Sequence, residues 1–156
     1  MLRDVVSGGE PVAAGLSWPD SLAEIGRTLR QMLLGYRDGA KLFSGTYLTD
    51  QTLLTAMEFP LRKLTDAGFS VRDAIRGYFT VYSYTIGFTI EEQAVFPRPG
   101  ERRPQYDLAK RAERIDPDEF PLTAAAGEEI FAGYDERFEH GLQLIIAGLE
   151  HSLHRH

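Results

Sequence analysis

The chain has 156 residues, of which 43% are hydrophobic and 26% charged, so it can form one globular domain with a core. Its net charge of -6 argues against direct nucleic-acid binding, because phosphate recognition needs a concentrated basic surface. The lack of cysteine excludes disulfides, thiolate metal sites and cysteine nucleophiles. No signal-peptide pattern and no run of roughly 20 apolar residues is present, so we expect a cytoplasmic protein without a membrane partner.

The first helix is predicted to begin after a stretch that breaks helices. Residues 1–17 contain several glycines and a proline, so we expect a poorly structured stub there. Ser17 is a candidate cap, and Pro19 is tolerated in a first helical turn. Apolar residues then recur every three or four positions, which predicts an amphipathic helix ending at Asp38-Gly39.

Residues 33–46 contain two helix breaks within a short distance. Asp38-Gly39 is a turn dipeptide, the helix resumes briefly, and it stops again at Gly45-Thr46. One long helix would be more stable than this arrangement. The breaks therefore indicate that the chain changes direction here to pass around another part of the molecule or a bound group.

Two further helices follow these breaks. Thr49-Asp50 predicts the cap of a helix that contains Pro60, which we expect to kink it. Gly68 predicts a left-handed stop. Ser70 starts a long helix that runs to about residue 94, and because it is apolar or aromatic nearly all round we expect it to be buried on more than one side.

The last third of the sequence predicts a loop and two more helices. Residues 96–117 are rich in proline and charge without periodicity, which is typical of a mobile loop. Residues 120–132 predict a short helix, and residues 134–153 a longer one with strict three-four apolar spacing. No alternating strand pattern of useful length appears, so the predicted fold class is all-α.

Gly141 and Gly148 lie beside the apolar stripe of the last helix. Each costs about 1 kcal/mol relative to alanine in a helix, so their presence indicates close approach of another helix. That helix belongs either to the same subunit or to a symmetry mate in a homodimer, the commonest kind of oligomer.

The residue types that support chemistry give no enzyme signature. His151 and His154 share a helical face, but a solvated helix end explains them better than a metal site, which needs more ligands. Glu91-Glu92 are adjacent and diverge by about 100° on a helix, unlike a catalytic carboxylate pair. No nucleophile motif or phosphate loop is present, so we predict no catalytic residue, no cofactor and no metal.

Aromatic residues crowd the middle of the chain, and most are expected to pack in the core. A minority are candidates for a cavity wall, since an apolar pocket with few polar groups is the usual small-molecule site. The residues that offer such polar groups are Thr46, Tyr47, Tyr82, Ser83 and Thr85.

Several motifs together resemble the ligand-binding domain of tetracycline-repressor (TetR) family regulators. The similarity runs from about Trp18 to the C-terminus. The matching motifs are Arg37-Asp38-Gly39-Ala40-Lys41, Gly45-Thr46, Gly68-Phe69-Ser70, Tyr84-Thr85-Ile86-Gly87 with Glu91 and Gln93, and the last helix.

The resemblance implies a transcriptional repressor that forms a homodimer through a four-helix bundle, made by the helices at about 70–94 and 134–153. Residues 18–156 would be the effector-binding and dimerisation domain, and residues 1–17 the stub of a linking helix. Operator DNA would be contacted only by an N-terminal helix-turn-helix domain that is absent from this chain.

The site residues implied by the resemblance fall into three groups. The pocket candidates are Leu29, Phe43, Thr46, Tyr47, Met57, Phe59, Leu61, Tyr82, Ser83 and Glu91. The hinge candidates, which would couple the pocket to the N-terminal side, are Arg37, Asp38, Gly39 and Lys41. The dimer-interface candidates are Phe138, Gly141, Leu142, Ile145, Gly148 and Leu149.

The sequence departs from the tetracycline-binding pattern. Phe43 occupies the position of the family's metal-chelating histidine, and apolar Ile25 and Leu29 fall where polar side chains grip the drug. The implied effector is therefore a small apolar or multi-ring aromatic molecule. Two alternatives stay open: a stand-alone small-molecule binding or scavenging protein with a TetR-like pocket, and, less favoured, an enzyme on a helical scaffold.

Overall fold

The computed structural model describes residues 15–44 and 51–154, and only the backbone at residues 44 and 51–53. Its helices are α1 (Trp18–Leu34), α2 (Gly39–Ser44), α3 (Gln51–Asp66), α4 (Val71–Val95), α5 (Leu108–Ala112), α6 (Pro121–Phe131) and α7 (Tyr134–Leu153). The described ranges contain no β-strand, which confirms the all-α prediction. None of the helices in these ranges has the length and apolarity needed to cross a membrane.

Serine side chains cap α1 and α4, as predicted. The hydroxyl oxygen of Ser17 accepts a hydrogen bond from the Asp20 backbone N–H at 3.3 Å, and that of Ser70 accepts one from Asp73 at 3.1 Å. Each bond satisfies an N–H group that has no partner within the helix. Between α3 and α4, Gly68 adopts the predicted left-handed conformation, with φ of +107°.

Helix α4 lies at the centre of the described fold and contacts α1, α2, α3 and α7. The prediction that this helix is buried on more than one side is therefore confirmed. Its core contacts form three apolar clusters. One joins Leu22 of α1, Val81 of α4, and Phe138 and Leu142 of α7; a second contains Leu33, Ala40, Phe43 and Ile86; the third contains Leu64, Phe69 and Ala74.

The segment between α4 and α6 has more regular structure than its composition predicts. The prediction of a loop over residues 96–117 was wrong in this respect, because a 3-10 turn (Pro104–Tyr106) and α5 lie within it. Asp107 explains the second element, since its carboxylate accepts a hydrogen bond from the Lys110 backbone N–H at 2.9 Å. A helix of five residues is too short to show a hydrophobic period, so only the cap signals it.

Candidate functional site

Three of the predicted pocket residues come together at the interface of α1, α2 and α4. Phe43 is buried in the cluster with Leu33, while Leu29 and Tyr82 pack against this cluster from α1 and α4. The ring centroids of Phe43 and Tyr82 lie 6.3 Å apart in a tilted arrangement. Burial raises the pKa of the Tyr82 phenol. This surface is therefore uncharged and aromatic at neutral pH.

The other predicted pocket residues are spread over several environments. Met57 and Phe59 are half-buried on α3, whereas Leu61 packs against the separate cluster around Leu64. Ser83 and Glu91 are exposed on α4. The remaining two candidates, Thr46 and Tyr47, lie outside the described residues.

The threonine hydroxyl groups of α4 are less available to hydrogen-bond a ligand than the sequence indicates. Thr85 is completely buried, and its hydroxyl donates to the Val81 carbonyl oxygen at 2.8 Å. Thr89 is also buried and donates to the Thr85 carbonyl oxygen at 2.7 Å. Both hydroxyl protons are therefore bonded to carbonyl groups of their own helix.

The turn between α1 and α2, where the hinge is predicted, has an unusual backbone. Asp38 has a positive φ of +55°. A Cβ atom at position 39 would overlap the Leu33 carbonyl oxygen, so only glycine fits there. The Arg37 guanidinium lies 3.8 Å from the Asp38 carboxylate, and both Arg37 and Lys41 are exposed. The predicted break at Asp38-Gly39 is therefore a close approach of two backbone segments.

Gln93 of α4 holds this turn, and sequence reasoning gave it no role. Its side chain is 2% exposed. The amide oxygen accepts a hydrogen bond from the Ala40 backbone N–H at 3.1 Å, and the amide nitrogen donates to the carbonyl oxygens of Leu33 at 3.1 Å and Tyr36 at 2.9 Å. The Ala40 N–H lies at the start of α2, where a helix supplies no partner, whereas the Leu33 and Tyr36 carbonyl oxygens also accept from the Tyr36 and Gly39 N–H groups of the turn. One side chain thus joins the end of α1, the start of α2 and α4.

A buried ion pair connects α1 to α4 beside this turn. The Arg30 guanidinium donates to both carboxylate oxygens of Glu92, at 2.8 and 2.7 Å, and lies 2.7 Å from Asp135 at the start of α7. The rings of Phe88 and Phe138 lie 5.7 and 5.0 Å from its central carbon. Burial opposes the charge of Arg30, but the hydrogen bonds that Arg30 donates to Glu92 and Asp135 outweigh this effect, and the pKa of Arg30 is raised.

The sequence signal for this pair was present but unspecific. Glu92 belongs to the Glu91-Glu92 pair that was considered, and rejected, as a catalytic carboxylate pair, and Arg30 lies on the buried face of an amphipathic helix. A buried charge requires a partner, so Arg30 itself indicates an unidentified carboxylate. Arg30 and Glu92 are 62 positions apart in the sequence, so the partner can be identified only from the fold.

The predicted dimer residues divide between the chain's own core and its surface. Phe138 and Leu142 are buried within the chain, and Ile145 and Leu149 pack partly against the same core. A Cβ atom at Gly141 would overlap the Tyr84 hydroxyl, so contact within the subunit accounts for this glycine. At Gly148 a Cβ atom would meet no described atom within 4 Å.

The histidine side chains show no metal site in the described part of the chain. His151 and His154 are exposed, and the Nδ1 atom of His154 lies 2.7 Å from the Glu150 carbonyl oxygen. No group of three or more potential His, Cys, Asp or Glu ligands occurs among the described residues.

Residues 10–153 match the family model described as the tetracyclin repressor-like C-terminal domain. The chain belongs to this family. It is 38% identical over 133 residues to the class A tetracycline repressor protein from transposon 1721 of Escherichia coli, covering 85% of this chain and 57% of that protein. To the class D repressor of the same organism it is 34% identical over 145 residues, or 88% of this chain and 59% of that protein.

Solved structures of the family share the fold. A possible TetR family transcriptional regulator from Streptomyces coelicolor A3(2) superposes with a TM-score of 0.80 at 32% identity, over 97% of this chain and 75% of the other. The Streptomyces coelicolor TetR family protein ActR, solved in complex with actinorhodin, gives a TM-score of 0.78 at 24% identity, over 97% and 72%. The predicted family is thus confirmed, and the named relatives are regulators rather than enzymes.

Proposed function

We propose that this chain is the effector-binding and dimerisation domain of a TetR-type transcriptional repressor whose effector is a small apolar or multi-ring aromatic molecule. The observation that supports this proposal is the buried position of Phe43 in the apolar cluster beside Leu29 and Tyr82. The effector would bind next to this cluster and contact α2, near the turn held by Gln93.

The chemistry of Phe43 favours an uncharged effector over a metal chelate. A phenyl ring supplies neither nitrogen nor oxygen to a divalent cation, and Mg²⁺ takes oxygen ligands in a strict geometry. A chelate that lost a ligand here would bring poorly paired charges into an apolar environment, which is costly. Aromatic rings in contrast gain from tilted contacts with Phe43 and Tyr82.

Binding would be coupled to the N-terminal side through α2 and α1. Helix α2 is short, and its first backbone N–H groups include the one that Gln93 holds. An effector that contacts Phe43 would favour one position of α2 and so one position of the end of α1. Such a ligand acts only by binding one arrangement more tightly than the other.

Dimerisation would use the exposed faces of α4 and α7. Ser83 and Gly87 are exposed on α4, and on α7 Leu144 is 63% exposed and close to Gly148. Small residues allow two helices to approach closely, and an exposed leucine gains by burial. Two helices from each subunit would form a four-helix bundle, as the family resemblance implies.

We further propose that the whole protein binds operator DNA through a domain outside the matched region. The chain spans 57% and 59% of the lengths of the class A and class D repressors, so those proteins have sequence beyond the match. In this proposal residues 18–156 form the sensor, and residues 1–17 are the stub of the segment that links it to a DNA-binding domain. The same fold in ActR was solved with actinorhodin, so the fold is compatible with a small-molecule complex.

The test is a thermal-shift and calorimetric screen of the chain against uncharged multi-ring aromatic compounds, with Mg²⁺–tetracycline as the comparison. We expect several aromatic compounds to raise the melting temperature, because a ligand that binds only the folded state stabilises it. Mg²⁺–tetracycline should give a smaller shift. Stronger binding of the chelate than of every aromatic compound would overturn the proposed effector class.

A matched pair of variants locates the binding. Leu29→Gln adds a polar group beside Phe43 and should weaken binding of the best compound. Leu54→Gln makes the same change at a position on α3 that is 52% exposed and should leave binding unchanged. Equal effects of the two changes would show that the compound binds elsewhere.

A further inference from the structure

A cavity that shares no residue with the Phe43 cluster lies between α6 and the segment that precedes it. Its volume is about 330 Å³, near the lower limit for sites that hold small molecules. The lining residues are Gln105, Tyr106, Arg111, Arg114, Ile115 and Phe131. No acidic side chain is among them, although the chain as a whole is acidic.

The apolar part of this cavity is built by two aromatic rings and one aliphatic side chain. The rings of Tyr106 and Phe131 lie 5.5 Å apart at an interplanar angle of 47°. Ile115 completes the apolar lining. A flat hydrocarbon ring can stack or tilt against such a surface, which favours a planar ligand.

Arg111 is held in place by the protein but keeps hydrogen-bond capacity. Its Nη2 atom donates to the Thr123 carbonyl oxygen at 2.7 Å, and its central carbon lies 5.9 Å from the Phe131 ring centroid. Gly127 faces the same guanidinium, which leaves room for it against α6. A guanidinium has five N–H groups, so this arrangement does not exhaust its donors.

Arg114 and Gln105 supply the other polar groups at the cavity. Within the described residues, neither Arg111 nor Arg114 lies within 4.0 Å of a carboxylate, and the Gln105 amide has no hydrogen-bond partner. The cavity therefore combines aromatic rings with two guanidinium groups that have no carboxylate partner. An aromatic carboxylate fits both features, because arginine binds carboxylates with directed pairs of hydrogen bonds.

We propose that this cavity binds a small planar aromatic carboxylate. The ring lies against Tyr106 and Phe131, and the carboxylate is bound by Arg114 and the free N–H groups of Arg111, with the Gln105 amide as a further donor. The site does not depend on the proposed regulatory function, because it shares no residue with the cluster around Phe43.

The test uses 2-naphthoate as the probe and the full 156-residue chain labelled with ¹⁵N. We expect 2-naphthoate to shift the side-chain amide signals of Gln105 and the backbone signals of Ile115 and Phe131. The uncharged 2-naphthamide and the ringless acetate should bind at least about tenfold more weakly, because each lacks one half of the recognition. Equal binding of 2-naphthoate and either control, or no binding of 2-naphthoate to the folded chain, would overturn the proposal.

Two variants with the same charge change separate a specific site from general attraction. Arg114→Gln should weaken 2-naphthoate binding about tenfold or more. Lys110→Gln removes one positive charge from the same segment at a residue that does not line the cavity, and it should change affinity less than twofold. Equal weakening by both would mean that net charge alone attracts the ligand. Circular dichroism of both variants confirms that the helices are retained.

Discussion

The hydroxyl group of Tyr84 lies against Gly141, where a Cβ atom of any other residue would be. The same hydroxyl donates to the Phe138 carbonyl oxygen at 3.1 Å, so Tyr84 is fixed in this position. Its ring stacks on that of Phe138 with centroids 5.4 Å apart. The contact joins α4 to α7 within one subunit.

Gly141→Ala should therefore destabilise the fold. The methyl group must displace the Tyr84 ring from its stacked position, and overpacking of this kind costs about 1–3 kcal/mol. Urea unfolding monitored by circular dichroism measures this loss. Gly148→Ala is the control on the same helix, because its Cβ atom meets no described atom within 4 Å. A Gly141→Ala protein as stable as Gly148→Ala would contradict the geometry.

Replacement of Gln93 by leucine should loosen the turn between α1 and α2. The change keeps a similar volume but leaves the Ala40 N–H without a partner, whereas the Leu33 carbonyl oxygen still accepts from the Tyr36 N–H at 3.3 Å. Each buried group left without a partner costs about 1–3 kcal/mol. We expect faster hydrogen exchange at Ala40, measured by NMR. Gln143→Leu, at an exposed residue of α7, should leave that exchange rate unchanged.

Glu92→Leu should be among the more damaging single changes in this chain. It removes the bidentate partner of Arg30 and leaves a buried guanidinium paired with Asp135 alone, at a cost of about 3–5 kcal/mol. Chemical denaturation measures the change. The double variant Arg30→Met/Glu92→Leu should regain much of the stability, since an apolar pair needs no counter-charge. A double variant less stable than Glu92→Leu would show that Arg30 does not depend on Glu92.

The stability of the chain should fall above pH 10. Burial, reinforced by nearby Tyr82, raises the pKa of Tyr78 to about 12, whereas an unfolded tyrosine has a pKa of about 10. Between these values the unfolded chain releases a proton that the folded chain retains. Unfolding is thereby favoured as pH rises, by on the order of 2–3 kcal/mol in total.

Urea unfolding at pH values between 8 and 11.5 tests this dependence. Tyr78→Phe cannot ionise and should reduce the decline in stability over this range. Tyr36→Phe, at a tyrosine that is 44% exposed, is the matched control and should retain the decline. Identical pH profiles for the two variants would exclude Tyr78 as the source.

Leu144→Glu should weaken self-association without unfolding the subunit. The side chain is 63% exposed on α7 beside Gly148, so a charge there is harmless to the subunit but would be buried in the proposed four-helix bundle. Sedimentation velocity measures the dimer fraction. Leu122→Glu, at a residue of α6 that is 85% exposed, should leave that fraction unchanged. A monomeric parent chain would overturn the dimer proposal itself.

Local sequence signals were sufficient to predict most of the helices. The last helix, predicted at residues 134–153 from its regular apolar period, spans Tyr134–Leu153. The caps at Ser17 and Ser70 were also identified, since a cap acts over three residues. α5 was missed because its five residues have a cap but no period.

The site was predicted less completely than the fold, because its contacts join distant parts of the chain. Family resemblance identified Phe43 and Leu29, which the structure brings together. The pairing of Gln93 with Ala40 spans 53 positions, and no local pattern encodes it. Gly141 is a further example. The sequence indicates close approach of another helix there, but only the fold shows that the approaching residue is Tyr84 of the same chain.

The positive φ of Asp38 lowers the free energy that the proposed movement of α2 would require. A non-glycine residue in the left-handed region costs roughly 1 kcal/mol relative to an ordinary conformation. That cost raises the energy of the arrangement seen here, and any alternative position of α2 that relaxes Asp38 starts with this advantage. A difference of 1.4 kcal/mol changes a two-state ratio tenfold, so relief of this strain alone changes the ratio of the two arrangements about fivefold and offsets part of the hydrogen bonding by Gln93.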